Sequence, residues 1–126
     1  MMRLAPIVVG SALLVGSPGA VLAEGDAAAG KEIFGRCRTC HVIDEESNRL
    51  GPHLVGIIGR KAGSIPGYNF SSAMQNAELT WNDETLKAFL SDPSGYIPGN
   101  AMQYPPLTDE QELQDLLAYL HEASGS

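Results

Sequence analysis

The sequence predicts an all-α domain in which three helices of modest length are joined by long loops. Three stretches carry apolar residues at helical spacing, strand-like alternation is almost absent, and the segments between the helices are dense in glycine and proline. The chain has 126 residues, which is enough for one small domain and too few for two.

The first predicted helix runs from about Asp26 to Arg36. Asp26 can cap its N-terminus, and Ile33 and Phe34 contribute to a partial apolar face. The segment that leads into Cys37 is therefore predicted to be helical, with no strand upstream of it.

The second and third predicted helices lie in the C-terminal half of the chain. The second follows Trp81, with Asn82 as its N-cap and Asp92-Pro93 as its end. The third begins with a capping box formed by Thr108 and Gln111. Its apolar stripe consists of Leu113, Leu116, Leu117 and Leu120.

The loops between these helices are too long for the core that three such helices can build. Glycine and proline stand next to each other at 51–52, 66–67 and 98–99. Long loops without secondary structure are uncommon in a compact domain. A buried planar cofactor would give them an apolar surface to wrap.

The first 23 residues have the features of a secretory signal peptide. Arg3 supplies a positive start, residues 5–15 are almost all apolar, and a small-residue cleavage pattern ends at Ala23. The apolar run is shorter than the roughly 20 residues that span a bilayer, which argues against an uncleaved anchor or stable membrane insertion. We expect cleavage between Ala23 and Glu24 and a periplasmic domain formed by residues 24–126.

The charge of the chain limits its partners. The sequence has 8 Lys and Arg against 15 Asp and Glu, a formal charge of −7, and loss of Arg3 with the leader would make it −8. This balance argues against nucleic acid and anionic lipid as partners. It favours a partner with a basic or mixed docking surface.

The segment Cys37-Arg38-Thr39-Cys40-His41 is the clearest chemical motif. A zinc site would need a fourth ligand, for which His53, His121 or a carboxylate could serve. A thioredoxin-like redox pair would need a strand before the motif, where the sequence predicts a helix. A disulfide between Cys37 and Cys40 would close a very small loop and add little stability.

Covalent haem attachment is the remaining interpretation of this motif. Two thiols separated by two residues can each bond to one vinyl group on the same edge of a haem, and the following histidine is then placed at the iron. The predicted export is consistent with haem attachment, because this type of attachment takes place outside the cytoplasm. The motif, the leader and the helix–loop pattern together favour one haem c over zinc and over a redox pair.

Further short motifs occur in a fixed order along the chain. They are Gly25–Phe34, Cys37–His41, Gly51–Leu54, Gly59–Gly63, Trp81, Tyr96–Met102 and Leu116–Leu120. In this set and order the chain resembles the class I cytochromes c, the small soluble monohaem proteins that include cytochrome c2. The resemblance implies the small cytochrome c fold, in which three main helices and long loops wrap around one covalently bound haem.

The iron would need a sixth ligand opposite His41. The candidates are Met74, Met102, His53 and His121. Prolines on both sides stiffen the loop that carries Met102. A thioether ligand at the iron raises its reduction potential. The resemblance also puts the axial methionine at Met102, and from it we interpret His53 as a surface substitution and Met74 as packing near the haem.

The resemblance implies further contacts around the haem. The carbonyl of Pro52 is assigned to the second ring nitrogen of His41, which orients a metal-bound imidazole. Side chains that can donate to the haem propionates are Arg60, Tyr68, Trp81 and Asn100. Tyr68 and Phe70 occupy two aromatic positions in exchanged order, so which of them lies nearer a propionate stays open.

Two departures from the family pattern bear on function. Phe89 stands where many relatives have tyrosine, so a hydroxyl bond to the Met102 sulfur is absent. The ring of lysines that basic relatives carry around the haem edge is largely missing, since Lys31, Arg38, Lys61 and Lys87 are too few to form it.

The resemblance and the filled axial positions predict a monomeric periplasmic electron carrier and not an enzyme. Its partners would be redox proteins. Two alternatives remain: a subunit of a larger periplasmic oxidoreductase, or a ligand-binding or peroxidase-like haem protein with a labile Met102. The second alternative needs a sixth position that can open.

Overall fold

The computed structural model describes residues 2–6, 10 and 25–125, so most of the predicted leader lies outside the described residues. In this described part the fold is helical, without a sheet, which confirms the predicted all-α class. Lys61 and Thr80 form an isolated antiparallel bridge. The helices are α1 (Ala27–Phe34), α2 (Ser72–Gln75), α3 (Asp83–Ser91), α4 (Pro93–Tyr96) and α5 (Glu110–Ala123). No described helix is both long and apolar enough to cross a membrane.

Helix α1 begins where the sequence predicts. The carboxylate of Asp26 accepts from the N–H of Ala28 at 2.9 Å and from that of Ala29 at 3.4 Å. The helix ends at Phe34, two residues before the predicted end at Arg36. The chain then makes tight turns, in which the N–H of Cys37 donates to the Phe34 carbonyl at 2.8 Å.

Helix α3 is capped as predicted by Asn82. Its side chain accepts from the N–H of Thr85 while the Thr85 hydroxyl accepts from the N–H of Asn82, both at 2.9 Å. The predicted end at Asp92 is also confirmed. Pro93, however, opens the short helix α4, where its missing N–H costs nothing and Asp92 caps the turn by accepting from the N–H of Gly95 at 3.1 Å.

The predicted N-cap of α5 is wrong by one residue. Asp109 and not Thr108 caps the helix, because its carboxylate accepts from the N–H of Glu112 at 2.9 Å. Both residues are good capping types, and either is followed three positions later by Gln or Glu. The leucine stripe of α5 is buried as predicted.

Helices α1 and α5 pack closely against each other. A Cβ on Gly30 would lie only 1.9 Å from the carbonyl oxygen of Asp115, so the backbones approach as closely as glycine permits. One turn further on, the rings of Phe34 and Tyr119 lie 5.3 Å apart. This contact fixes the direction in which the chain leaves α1.

Helix α3 is joined to α5 at its solvent side. Lys87 pairs with Glu110, and the Nε2 of His121 lies 2.6 Å from a carboxylate oxygen of Asp83. All four side chains are substantially exposed, so these pairs contribute little free energy. The apolar sides of both helices face inward, toward a cavity.

Candidate cofactor site

A cavity of about 600 Å³ lies between the helices and the loops. Its volume is in the range of sites that enclose a small organic cofactor. The helices α3 and α5 contribute to its wall with Leu86, Phe89, Leu90, Leu116 and Leu120. The apolar faces that the sequence predicts are therefore shared between the core and this cavity.

The two thiols and the histidine of the motif line this cavity. The N–H groups of Cys40 and His41 both donate to the carbonyl of Cys37, at 3.1 and 2.9 Å, so the motif forms one compact turn. Both cysteines are free and half-buried, and burial raises the pKa of the Cys37 thiol. The turn therefore places both cysteines at the wall of one cavity.

The imidazole of His41 is held by the carbonyl of Pro52. Its Nδ1 lies 2.7 Å from that oxygen, and because a carbonyl can only accept, Nδ1 carries the proton. Burial lowers the pKa of His41, so the ring is neutral at pH 7. The lone pair of Nε2 is then available to a metal ion.

Gly51 allows the His41 ring to lie flat against the backbone. A Cβ at this position would lie 2.5 Å from the Cε1 atom of His41 and 2.9 Å from Nε2. Real side chains do not tolerate such distances. The glycine is therefore required by the imidazole that it contacts.

The two methionine candidates, Met74 and Met102, both line the cavity. The N–H of Met102 donates to the side-chain oxygen of Asn100 at 2.8 Å. The amide nitrogen of Asn100 donates to the carbonyls of Pro93 and Ile97, each at 2.8 Å. Asn100 is buried and is not among the lining residues, so its role is to hold the loop that carries Met102.

Arg60, Tyr68 and Trp81 line the cavity as well. One guanidinium nitrogen of Arg60 donates to the carbonyl of His53 at 2.9 Å, and burial lowers the pKa of Arg60 to about 10. The Tyr68 hydroxyl donates to the carbonyl of Leu50 at 2.6 Å. Trp81 is buried, with its ring system 5.2 Å from that of Phe89.

His53 is not a surface residue, and the interpretation of it as a surface substitution is wrong. Only 5% of it is exposed. Its Nδ1 accepts from the N–H of Val55 at 3.2 Å, and its own N–H donates to the side-chain oxygen of Asn48 at 2.9 Å. Nothing in the sequence singles out Asn48, because its contact with His53 depends on how the loop between His41 and Pro52 folds back.

The described lining of the cavity contains no aspartate or glutamate, although the chain has 15 of them. The arginines in the lining are Arg36 and Arg60. Arg36 is exposed and Arg60 is half-buried, and an anionic group on a bound molecule would offset the partial desolvation of the Arg60 guanidinium.

The cavity fits a haem in several independent respects. Its wall is mostly apolar, its volume is adequate, and it offers two thiols, a neutral imidazole and two thioethers. Arg60 could meet the negative charge of the propionates. In the part of the chain that the structure describes, no group of three or more His, Cys, Asp or Glu is placed so that it could hold a metal ion.

Comparison with known proteins agrees with this site. The sequence profile of the cytochrome c family matches residues 27–124. The chain is 48% identical over 101 residues to cytochrome c2 of Agrobacterium tumefaciens, which covers 77% of this chain and 91% of the relative. It is 44% identical over 100 residues to cytochrome c type-1 of Ascaris suum, covering 79% and 89%. The structure of cytochrome cH from Methylobacterium extorquens matches with a TM-score of 0.74 and 42% identity, covering 78% of this chain and 99% of that one. The chain belongs to the cytochrome c family, the electron carriers that bind haem c covalently.

Proposed function

We propose that this chain is a periplasmic electron carrier whose haem c is attached through Cys37 and Cys40, with His41 and Met102 as its axial ligands. One observation carries the proposal: the free Nε2 of His41 belongs to the same cavity as Met102 and the two thiols. The leader-like residues 1–23 support the periplasmic location, since they predict export.

Haem c, when bound, supplies an iron that gains and loses one electron. His41 provides a neutral nitrogen donor whose direction is fixed by Pro52 and Gly51. Met102 provides a soft thioether on a loop that Asn100 immobilises. With both positions filled, the residues leave no open site for substrate, which favours a carrier over an enzyme.

The remaining wall residues exclude water and neutralise charge. Trp81 and Phe89 are buried beside the cavity, so the site has few dipoles that must reorient when the charge changes. Arg60 and the N–H of Trp81 are the polar groups that we assign to the propionates, and the Tyr68 hydroxyl would join them by exchanging the Leu50 carbonyl for a propionate. Asn100 acts on Met102 instead of on the propionates.

The partner is proposed to be a redox protein with a mixed docking surface. The net charge of the chain attracts a basic molecule at a distance. The lining of the cavity carries no carboxylate, and its exposed members include Leu50, Ala101 and Gln103. The contact itself is therefore partly apolar with Arg36 as an exposed charge, and basic groups on the partner belong around it. We propose that the carrier acts as a monomer.

Absorption spectra of the haem-loaded protein, with and without carbon monoxide, test the axial ligands. The native oxidised protein should show the weak far-red band of a methionine-ligated haem, and the reduced protein should not bind carbon monoxide. Met102→Ala should lose the band and bind carbon monoxide, whereas the matched control Met74→Ala should do neither. Ready binding of carbon monoxide by the native protein would contradict the proposal and favour a ligand-binding haem protein.

A further inference from the structure

We propose that Asn48 is a positioning residue that tunes the reduction potential through the backbone of Pro52. The proposal rests on the proposed function, because it takes His41 to be the proximal ligand. It adds a residue that lies outside the cavity lining and does not contact His41 in any hydrogen bond of the structure.

The geometry joins Asn48 to His41 across a single peptide group. The Nδ1–H of His41 donates to the carbonyl oxygen of Pro52 at 2.7 Å. The N–H of the same peptide group belongs to His53, and it donates to the side-chain oxygen of Asn48 at 2.9 Å. Both distances are those of good hydrogen bonds.

The two bonds strengthen each other. Resonance couples the N–H and the carbonyl of one peptide group, so an acceptor at the N–H increases the negative charge on the carbonyl oxygen. A better acceptor at Nδ1–H makes the imidazole of His41 a stronger donor to a metal ion. Stronger donation favours the oxidised iron, and Asn48 therefore lowers the reduction potential.

The surroundings make this relay rigid. Arg60 donates to the carbonyl of His53 at 2.9 Å, so the next peptide group is fixed as well. The N–H of Gly51 donates to the carbonyl of Cys40 at 2.8 Å, which holds the loop against the haem-attachment motif. Asn48 and Pro52 are half-buried and His53 is buried, so solvent screens the two bonds only weakly.

The test is redox titration of haem-loaded variants. Asn48→Leu removes the acceptor and should raise the potential. Asn48→Asp keeps the acceptor and strengthens it, and should lower the potential. We expect about a threefold change in the redox equilibrium constant for each, which is ~28 mV for one electron. Ser47→Asp adds the same charge next to Asn48 but does not replace the side chain that accepts from the N–H of His53. It should therefore change the potential clearly less than Asn48→Asp.

A second measurement separates this relay from a purely structural role. The Nδ1–H proton resonance of His41 in the reduced protein should move upfield in Asn48→Leu and downfield in Asn48→Asp. The proposal would be overturned by unchanged potentials and resonances in variants that still attach haem and do not bind carbon monoxide. That result would leave the proposed function intact. If Asn48→Leu does not fold, the comparison of Asn48→Asp with Ser47→Asp decides the question alone.

Discussion

The backbone N–H of Asp26 donates to the buried carboxylate of Asp115 at 2.8 Å, across 89 positions of the chain. The same carboxylate oxygen accepts from the side-chain amide of Gln111 at 2.9 Å. Asp26 is the N-cap of α1, so a residue of α5 satisfies a backbone donor at the start of α1. The two helices are therefore joined by a hydrogen bond as well as by apolar contacts.

Replacing Asp115 by alanine should therefore destabilise the protein. Two donors lose their partner in a half-buried position, and we expect the free energy of unfolding to fall by about 1–3 kcal/mol. Denaturant unfolding of the haem-loaded protein measures this. Asp115→Asn, which keeps an acceptor oxygen, should recover a large part of the loss. Glu122→Ala, on the exposed side of α5, should change stability by less than about 0.5 kcal/mol.

Gly51→Ala should disturb the imidazole of His41. The added Cβ would lie 2.5 Å from the His41 ring, so either the ring or the loop must move. We expect a loss of about 1–3 kcal/mol in stability together with a change in the absorption spectrum of the haem-loaded protein. Gly30→Ala is the matched control, because its Cβ would clash with α5 at 1.9 Å and should lower stability without changing the spectrum. An unaltered spectrum in Gly51→Ala would show that the ring does not depend on this contact.

Glu78→Gly should stabilise the protein. Glu78 has a φ of 49°, the only positive value among the described non-glycine residues. Relief of this strain should raise the free energy of unfolding by about 1–2 kcal/mol. The greater freedom of glycine in the unfolded chain should lower it by about 0.4–1 kcal/mol. A net gain of up to about 1.6 kcal/mol should appear in thermal or denaturant unfolding. The same substitution in the first turn of α3, Glu84→Gly, should instead cost about 0.5–1 kcal/mol.

Arg36 should control the approach of anions to the cavity. It is exposed, lines the cavity, and a side-chain hydrogen bond with Tyr104 raises its pKa. Arg36→Glu should slow reduction of the oxidised protein by hexacyanoferrate(II) several-fold at low ionic strength, with the difference shrinking as salt is added. Lys61→Glu changes the net charge equally but lies outside the lining, and should have a smaller effect. Equal slowing in both variants would mean that only the net charge matters.

The main helices could be predicted because their ends carry local signals. Asn82 caps α3 by a bond to Thr85, three residues on, and that contact needs no tertiary information. The N-cap of α5 was predicted one residue too early, because Thr108 and Asp109 are both good capping types and the local sequence does not distinguish them. Helices α2 and α4 have four residues each, which is too short for helical periodicity to be visible.

The residues of the candidate site also divide into those that local sequence predicts and those that depend on the tertiary fold. Cys37, Cys40 and His41 are adjacent in sequence, so their spacing alone predicts their chemistry. The burial of His53 could not be predicted, because it depends on a loop closed by Asn48 and Arg60. Side chains that act through a neighbouring backbone leave no pattern in the sequence.

The close contact between α1 and α5 has a consequence for the order of events in the cell. These are the first and last of the described helices, so α1 lacks the helix against which it packs until α5 has been synthesised. Bonds such as the one from Asp26 to Asp115 span most of the domain and form late. The nascent chain therefore stays open, and Cys37 and Cys40 remain accessible, until the final helix closes the domain.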